Sequence, residues 1–105
     1  MEKITFADEV YCLCKQIPKG KVSTYKGLAD ALGIKGYQAI GQVLKKNPYA
    51  PHVPCHRVVK SNGSLGGFKG CVVGREILEK ETLLKKEGVV VKDGKVDLGK
   101  CLFRF

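Results

Sequence analysis

Between residues 48 and 70 the chain loses helical periodicity, and this constrains its fold more than any other feature. The stretch is rich in Pro and Gly, yet Val53, Val58, Val59, Leu65 and Phe68 punctuate it. An irregular run of this length in a small domain is either functional or disordered. So many apolar residues argue against disorder. A chain of 105 residues supports one modest core. The segments on either side must therefore pack onto this irregular centre, which also holds both histidines and Cys55.

Upstream, the signals are helical. Thr5 and Asp8 give a Thr-x-x-Asp start signal, and Phe6, Val10, Leu13 and Ile17 follow at helical spacing. The spacing predicts a first helix from about Phe6 to Gln16, because Pro18 disfavours helix at Ile17. Lys19-Gly20-Lys21 makes a turn, and Val22 to Thr24 a short extended piece. Thr24 can cap a second helix, Tyr25 to Leu32, which Gly33 stops. A third covers Tyr37 to Lys46 and ends before Asn47-Pro48. Two short helices about a Gly-containing turn make a helix-turn-helix pattern, although most such patterns are only two packed helices. Downstream, a fourth helix spans about Val73 to Lys86, ending at Gly88. Val89 to Val91 and Lys95 to Leu98 flank Asp93-Gly94, which reads as a hairpin with a type I′ turn. That hairpin is either the basic wing of a winged helix or a small sheet over the core. The expected fold is mostly α with small β elements, winged-helix-like, as a single domain over residues 1–105 with no N-terminal domain.

Charge narrows the partners. The chain carries 19 Lys and Arg against 10 Asp and Glu, a net +9. Membrane surfaces, acidic proteins and nucleic acid all attract such a chain. Nucleic acid is the commonest partner of a compact basic domain without a strongly amphipathic, aromatic-rich helix. No apolar run approaches the ~20 residues that span a bilayer, and Met1 to Thr5 lacks the apolar centre of a secretory signal. The expectation is a cytoplasmic protein, nuclear in a eukaryote, with no membrane partner. Five cysteines, an odd number, fit a reducing compartment better than a disulfide framework. Cys12 and Cys14 are too close for the usual zinc half-site and the other three are scattered, so no metal is expected.

The run Pro54-Cys55-His56-Arg57-Val58-Val59 carries the chemistry. A thiolate is a strong nucleophile, and a cationic neighbour or a proton acceptor helps to generate one. His56 and Arg57 supply both kinds of group next to Cys55. Adjacent residues do not automatically face each other, however, and a buried cysteine beside a solvated His-Arg pair is the alternative.

Pro54-Cys55-His56-Arg57-Val58 resembles the active-site signature of the O6-alkylguanine-DNA alkyltransferases, the methylated-DNA–protein-cysteine methyltransferases, in their C-terminal active-site domain. Ile17 to Tyr25 is similar to the segment leading into that family's helix-turn-helix. Ala39-Ile40-Gly41 with Asn47-Pro48 resembles its recognition helix and the asparagine beyond it. Gly63 to Gly70 resembles its loop over the guanine pocket, and Leu83 to Gly88 the helix that carries its glutamate. The matches run in order over most of residues 6 to 88.

The resemblance implies a reaction and a set of roles. Cys55 takes the alkyl group from O6-alkylguanine, chiefly O6-methylguanine, in a single turnover that needs no cofactor. His56 receives the thiol proton through a water, and Glu87 orients and stabilises His56. Asn47 ties the turn between the helices to the active-site segment. Tyr25 presses on the DNA backbone and offers its hydroxyl to the leaving purine. The backbone carbonyls of Cys55 and Val58 read the guanine amino group. Lys26, Gly36, Tyr37, Gln38, Arg57, Val58, Phe68 and Lys69 complete the implied DNA contacts. The partner is double-stranded DNA, bound through the minor groove with the damaged nucleotide flipped out, and the protein is a monomer.

Some positions depart from the family pattern. Gln38 stands where an arginine usually fills the flipped nucleotide's place, so weaker flipping is expected, with Lys35 or Lys45 as nearby charge. Phe68 and Lys69 replace a tyrosine and a small residue, and Gly70-Cys71 a Gly-Gly pair. Extra residues separate Cys71 from Lys80, which leaves Glu79 and Glu81 as alternative partners for His56. Two other readings compete. One is an alkyltransferase-like protein that binds damage without transfer; such proteins usually have tryptophan at the position of Cys55. The other is a plain winged-helix regulator with an inert Cys55.

Overall fold

The structure, a computed structural model, describes residues 5–46, 53–66 and 75–105. Among these residues, five helices and two small sheets follow in the order α1 (Phe6–Gln16), β1 (Ser23–Thr24), α2 (Tyr25–Leu32), α3 (Gln38–Lys45), a 3-10 turn (Cys55–Arg57), β2 (Val58–Val59), α4 (Arg75–Lys86), β3 (Val91–Lys92), β4 (Lys95–Val96) and α5 (Leu98–Cys101).

Local chemistry sets most of these boundaries. Thr5 Oγ1 accepts from Asp8 N–H at 3.1 Å while Asp8 Oδ2 accepts from Thr5 N–H at 3.0 Å, the reciprocal capping box that opens α1. Thr24 Oγ1 caps α2 through Gly27 N–H at 2.9 Å. At its other end Ile34 N–H reaches Ala29 O and Gly33 N–H reaches Asp30 O, the paired closure that a left-handed Gly33, φ 72°, permits. Helix α4 closes the same way, through Val89 to Leu84 and Gly88 to Lys85, with Gly88 at φ 89°. The first three helices thus match their expected spans to within a residue. The fourth begins, within the described residues, at Arg75.

Two apolar clusters form the interior. The first joins α1 (Val10, Cys14), Ile17, α2 (Leu28, Ala29), α3 (Ile40, Leu44), Val53, Cys55 and Val58. The second holds Val22, Val59, Leu65, Leu84, Val89, Val96 and Cys101. Successive residues of a strand point to opposite faces, so β2 sends Val58 into one cluster and Val59 into the other. β2 pairs in parallel with β1, Ser23 against Val58 and Thr24 against Val59. This two-residue ladder brings the centre of the chain beside the start of α2.

The hairpin forms as expected, with Asp93 at φ 53° and Gly94 at φ 72° in the turn. Its second strand is shorter than the sequence pattern implied. It stops at Val96 because Asp97 Oδ1 accepts from Gly99 N–H at 2.9 Å and starts α5. Val96 is buried, and Val96 N–H bonds Gly63 O at 2.9 Å, so the hairpin covers the second cluster. The chain's end is also tied in: Val22 N–H bonds Cys101 O at 2.8 Å and Phe103 N–H bonds Val22 O at 2.7 Å. Among the described residues, no helix is long and apolar enough to cross a membrane.

Candidate active site

The site begins with a proline. Pro54 has φ −81° and ψ 67°, and Cys55 N–H bonds Val53 O at 2.8 Å across it. This is an inverse γ-turn, whose φ the pyrrolidine ring presets. Arg57 N–H then bonds Pro54 O at 2.9 Å, and Val58 N–H bonds Cys55 O, closing a tight 3-10 turn. The turn sets Cys55 into the wall of the first cluster at 8% exposure, with His56 buried beside it.

Glu87 stands behind that turn. Its Oε2 lies 3.1 Å from His56 Nε2. The distance is that of an ion pair, but the imidazole N–H is out of line for a hydrogen bond. The carboxylate is more firmly held by Arg57, whose Nε donates to Oε1 at 2.8 Å and Nη2 to Oε2 at 2.6 Å. Arg57 Nη1 also donates to Ile17 O at 2.8 Å. A bidentate guanidinium of this kind is the strong form of the pair. Burial opposes ionisation of Glu87, yet Arg57 and His56 together hold its carboxyl below the usual value. Burial pushes the His56 imidazole below its usual value, against the pull of Glu87, so it rests neutral near pH 7 and can accept a proton. The register question is answered: Glu87 faces His56, while Glu81 pairs with Lys85 at 3.4 Å and Glu79 is exposed.

Tyr25 opens α2 next to this centre. Burial, and after it the sulfurs of Cys55 and Cys14, push its phenol up to about 12, so the hydroxyl remains a hydrogen-bond donor at neutral pH. A Cβ on Gly66, which sits at φ 73°, would come within 3.3 Å of the Tyr25 ring and hydroxyl. Only glycine allows that approach. Behind β2 a lysine is wholly buried. Lys80 Nζ donates to Val58 O at 2.7 Å and also to Leu65 O.

Cys55 on a tight turn, beside a neutral histidine backed by a carboxylate, next to a helix-turn-helix, is the arrangement that the motif requires. The family profile described as 6-O-methylguanine DNA methyltransferase, DNA binding domain, matches residues 5–89. The chain belongs to this family. The bifunctional methyltransferase/endonuclease of Picrophilus torridus is 38% identical over 104 residues, which cover 98% of this chain and 33% of that protein. The methylated-DNA–protein-cysteine methyltransferase of Candida glabrata is 46% identical over 89 residues, 81% of this chain and 43% of that one. The chain thus spans about a third to two-fifths of the length of these curated relatives. Among solved structures, Atl1 of S. pombe, in complex with damaged DNA containing O6-carboxymethylguanine, superposes with a TM-score of 0.79 at 29% identity and covers 100% of both chains. The tail beyond residue 89, for which the sequence offered no counterpart, is matched in that full-length superposition.

Within this member of the 6-O-methylguanine DNA methyltransferase family, the expected DNA-facing residues fall into two groups. Lys26, Gly36, Tyr37 and Gln38 are exposed; Gly36, Tyr37, Gln38 and Ala39 gather at the start of α3, whereas Lys26 lies on α2 and pairs with Asp30 at 3.2 Å. Tyr37 and Tyr25 line a hollow of about 430 Å³ with Lys60, Ser61 and Asn62. Arg57 turns inward, its side chain 16% exposed, with three of its five N–H donors on Glu87 and Ile17. Val58 is buried, and its carbonyl accepts a hydrogen bond from the Lys80 ammonium. Asn47, Phe68, Lys69 and Cys71 lie outside the described residues. Sequence reasoning missed that Lys80 is buried behind the Cys55 turn. The available signal was its position: Ile77, Lys80 and Leu84 lie on one face of α4, with Glu87 just beyond its end at the same spacing, which places a lysine on the inward stripe.

Proposed function

We propose that this chain is the active-site domain of a DNA repair protein that removes alkyl groups from O6-alkylguanine, chiefly O6-methylguanine, onto its own Cys55. The observation that carries this reading is the Cys55–His56–Glu87 constellation, with Glu87 Oε2 3.1 Å from the imidazole of the residue next to the nucleophile. Cys55 gives its proton to His56 through a water, and Glu87 stabilises the imidazolium. The sulfur attacks the alkyl carbon in line, the bond from that carbon to O6 breaks, and the electron pair leaves with guanine. The Tyr25 hydroxyl donates to the purine as charge develops on it. The sulfur supplies the electron pair and guanine is the leaving group, so the step as written uses no cofactor. The thioether does not revert, and each molecule acts once.

The alkyl carbon lies inside the base stack, so the nucleotide must be flipped out first, at a cost of a few kcal/mol. The exposed Lys35, Gly36, Tyr37 and Gln38 at the start of α3 support minor-groove binding through that helix, with Lys26, Phe68, Lys69 and Asn47 as further expected contributors. A net charge of +9 supports salt-sensitive, sequence-tolerant attachment to duplex DNA, by a monomer.

Intact-protein mass after incubation with duplex DNA containing O6-methylguanine tests the reading. One methyl should be gained per chain, mapped to Cys55 and lost in Cys55→Ser, which should still bind DNA. A second reading, lesion binding without transfer, draws on the end-to-end match to Atl1, whose complex holds damaged DNA. It predicts lesion-selective binding with no change in mass.

A further inference from the structure

The β3–β4 hairpin has two unlike faces. Val91 pairs with Val96, and both sit against the second apolar cluster. Lys92 pairs with Lys95 on the opposite face, and both are exposed. Like charges set directly opposite each other across a ladder destabilise it. Among the described residues, no carboxylate pairs with either lysine. Asp97 is occupied in capping α5 through Gly99 N–H, and Asp93 holds the left-handed turn at φ 53°. Folding alone does not call for this cationic pair, because the inner face already covers the core.

The hairpin is also joined to the surface that holds α3. Lys95 bridges Ser64 in antiparallel fashion, flanked by Leu65 N–H to Gly94 O at 3.1 Å and Val96 N–H to Gly63 O at 2.9 Å. β4 thus lies between β3 and the returning arm of the loop of residues 58–65. Residues directly opposite across a ladder share a face, so Lys92, Lys95 and Ser64 form one row, about 10 Å long at two strand spacings. The 58–65 loop folds back on itself through Lys60 N–H to Ser64 O and Gly63 N–H to Lys60 O, both at 2.9 Å. Its tip, Lys60, Ser61 and Asn62, lines the hollow of about 430 Å³ with Tyr25 and Tyr37. The cationic row therefore runs into the side of the surface formed by the starts of α2 and α3.

We propose that the hairpin is a wing that holds the phosphate backbone of duplex DNA, with Lys92 and Lys95 as its phosphate contacts. This rests on the reading of α3 as the helix that meets the duplex. Phosphates supply the counter-charge that the lysine pair lacks within the protein, and neutralising them releases counterions. An acidic protein segment would satisfy the same charges, but continuity with the Tyr25 and Tyr37 hollow favours DNA.

The test is the salt dependence of binding to an undamaged duplex, measured by fluorescence anisotropy. The wild-type chain is compared with Lys92→Gln/Lys95→Gln and with Lys15→Gln/Lys19→Gln. The second pair removes the same charge at the end of α1 and in the turn beyond it. The start of that helix, Phe6, borders Tyr37, so Lys15 stands roughly 14 Å farther along the axis. In the hairpin variant the slope of log K against log salt should shrink by about 1–2, with affinity several-fold weaker at physiological salt. The control should shift the slope less than half as much. The hairpin variant's Tm should also rise by about 1–5 °C as the like-charge pair is relieved. An unchanged slope overturns the proposal and leaves an acidic protein as the partner. Equal losses in both variants overturn it as an effect of net charge. A fall in Tm together with affinity marks a structural role and overturns it too. If the wild-type chain binds no duplex, the α3 reading fails with the wing; if it binds and only the slope is unmoved, the wing fails alone.

Discussion

At the scale of single residues, one carboxylate serves two partners. Glu87 is locked by Arg57 in a well-aligned bidentate pair and meets His56 at 3.1 Å out of line. The imidazole must therefore draw on the carboxylate's charge more than on a hydrogen bond until it is protonated. Glu87→Gln keeps the shape and removes that charge. Single-turnover transfer should slow roughly 10- to 100-fold with DNA affinity little changed; an equal loss in binding would assign Glu87 to architecture instead. Gln38 poses a different question. It opens α3 on the exposed side, where a planar cation would serve better to fill the gap left by a flipped base. Gln38→Arg should speed repair of duplex DNA several-fold more than reaction with free alkylguanine base, and equal gains on both substrates would discount the wedge. Arg57 shows the limit of reading such roles from residue type. A guanidinium beside a cysteine serves DNA or the protein equally well on paper, and the sequence does not show that Glu87 engages it.

Among the elements, close backbone approaches dominate. Gly63 has φ 90°, and a Cβ there would lie 2.6 Å from Val96 O, closer than any real contact. The 58–65 loop and the hairpin can meet only at a glycine. Gly63→Ala combines left-handed strain with a backbone clash and should cost about 2–4 kcal/mol. A thermal melt should show Tm lower by roughly 10 °C or more, and a fall under ~2 °C would mean that the hairpin detaches freely. The caps of α1 and α2 and the hairpin turn were legible in the chain because each is a local motif of four to six residues. The parallel pairing of β1 with β2 was not legible. It joins residues more than thirty positions apart through two residues a side, too short for any periodicity to register. That pairing sets Tyr25 beside Cys55.

For the whole molecule, the buried ionisable groups dictate how stability follows pH. Burial brings Lys80 from 10.5 down to about 7, so the unfolded chain binds more protons between those values and stability rises with pH. Burial raises Cys14 from 9.0 to about 12 and Tyr25 from 10.0 to about 12, so above 9, and more steeply above 10, the folded chain holds the extra protons and stability falls. His56 and Glu87, both lowered, withdraw stability as the medium becomes acidic. Urea midpoints should rise from pH 7 to about 9, level off to about 10 and then drop, with a gain of about 1–3 kcal/mol from Lys80 over the first interval. A monotonic decline from pH 7 would show that Lys80 is solvated.

The chain alone determined its helices, its turns and its family signature, because capping, periodicity and the Pro54 to Val58 motif are local. Tertiary structure decided which glutamate backs His56, that Arg57 faces inward, and that Lys80 lies buried under the active-site loop. Those outcomes depend on which faces of distant elements meet when two small apolar clusters close. Pairing energies of buried charges depend on geometry and desolvation, which no stretch of sequence specifies on its own.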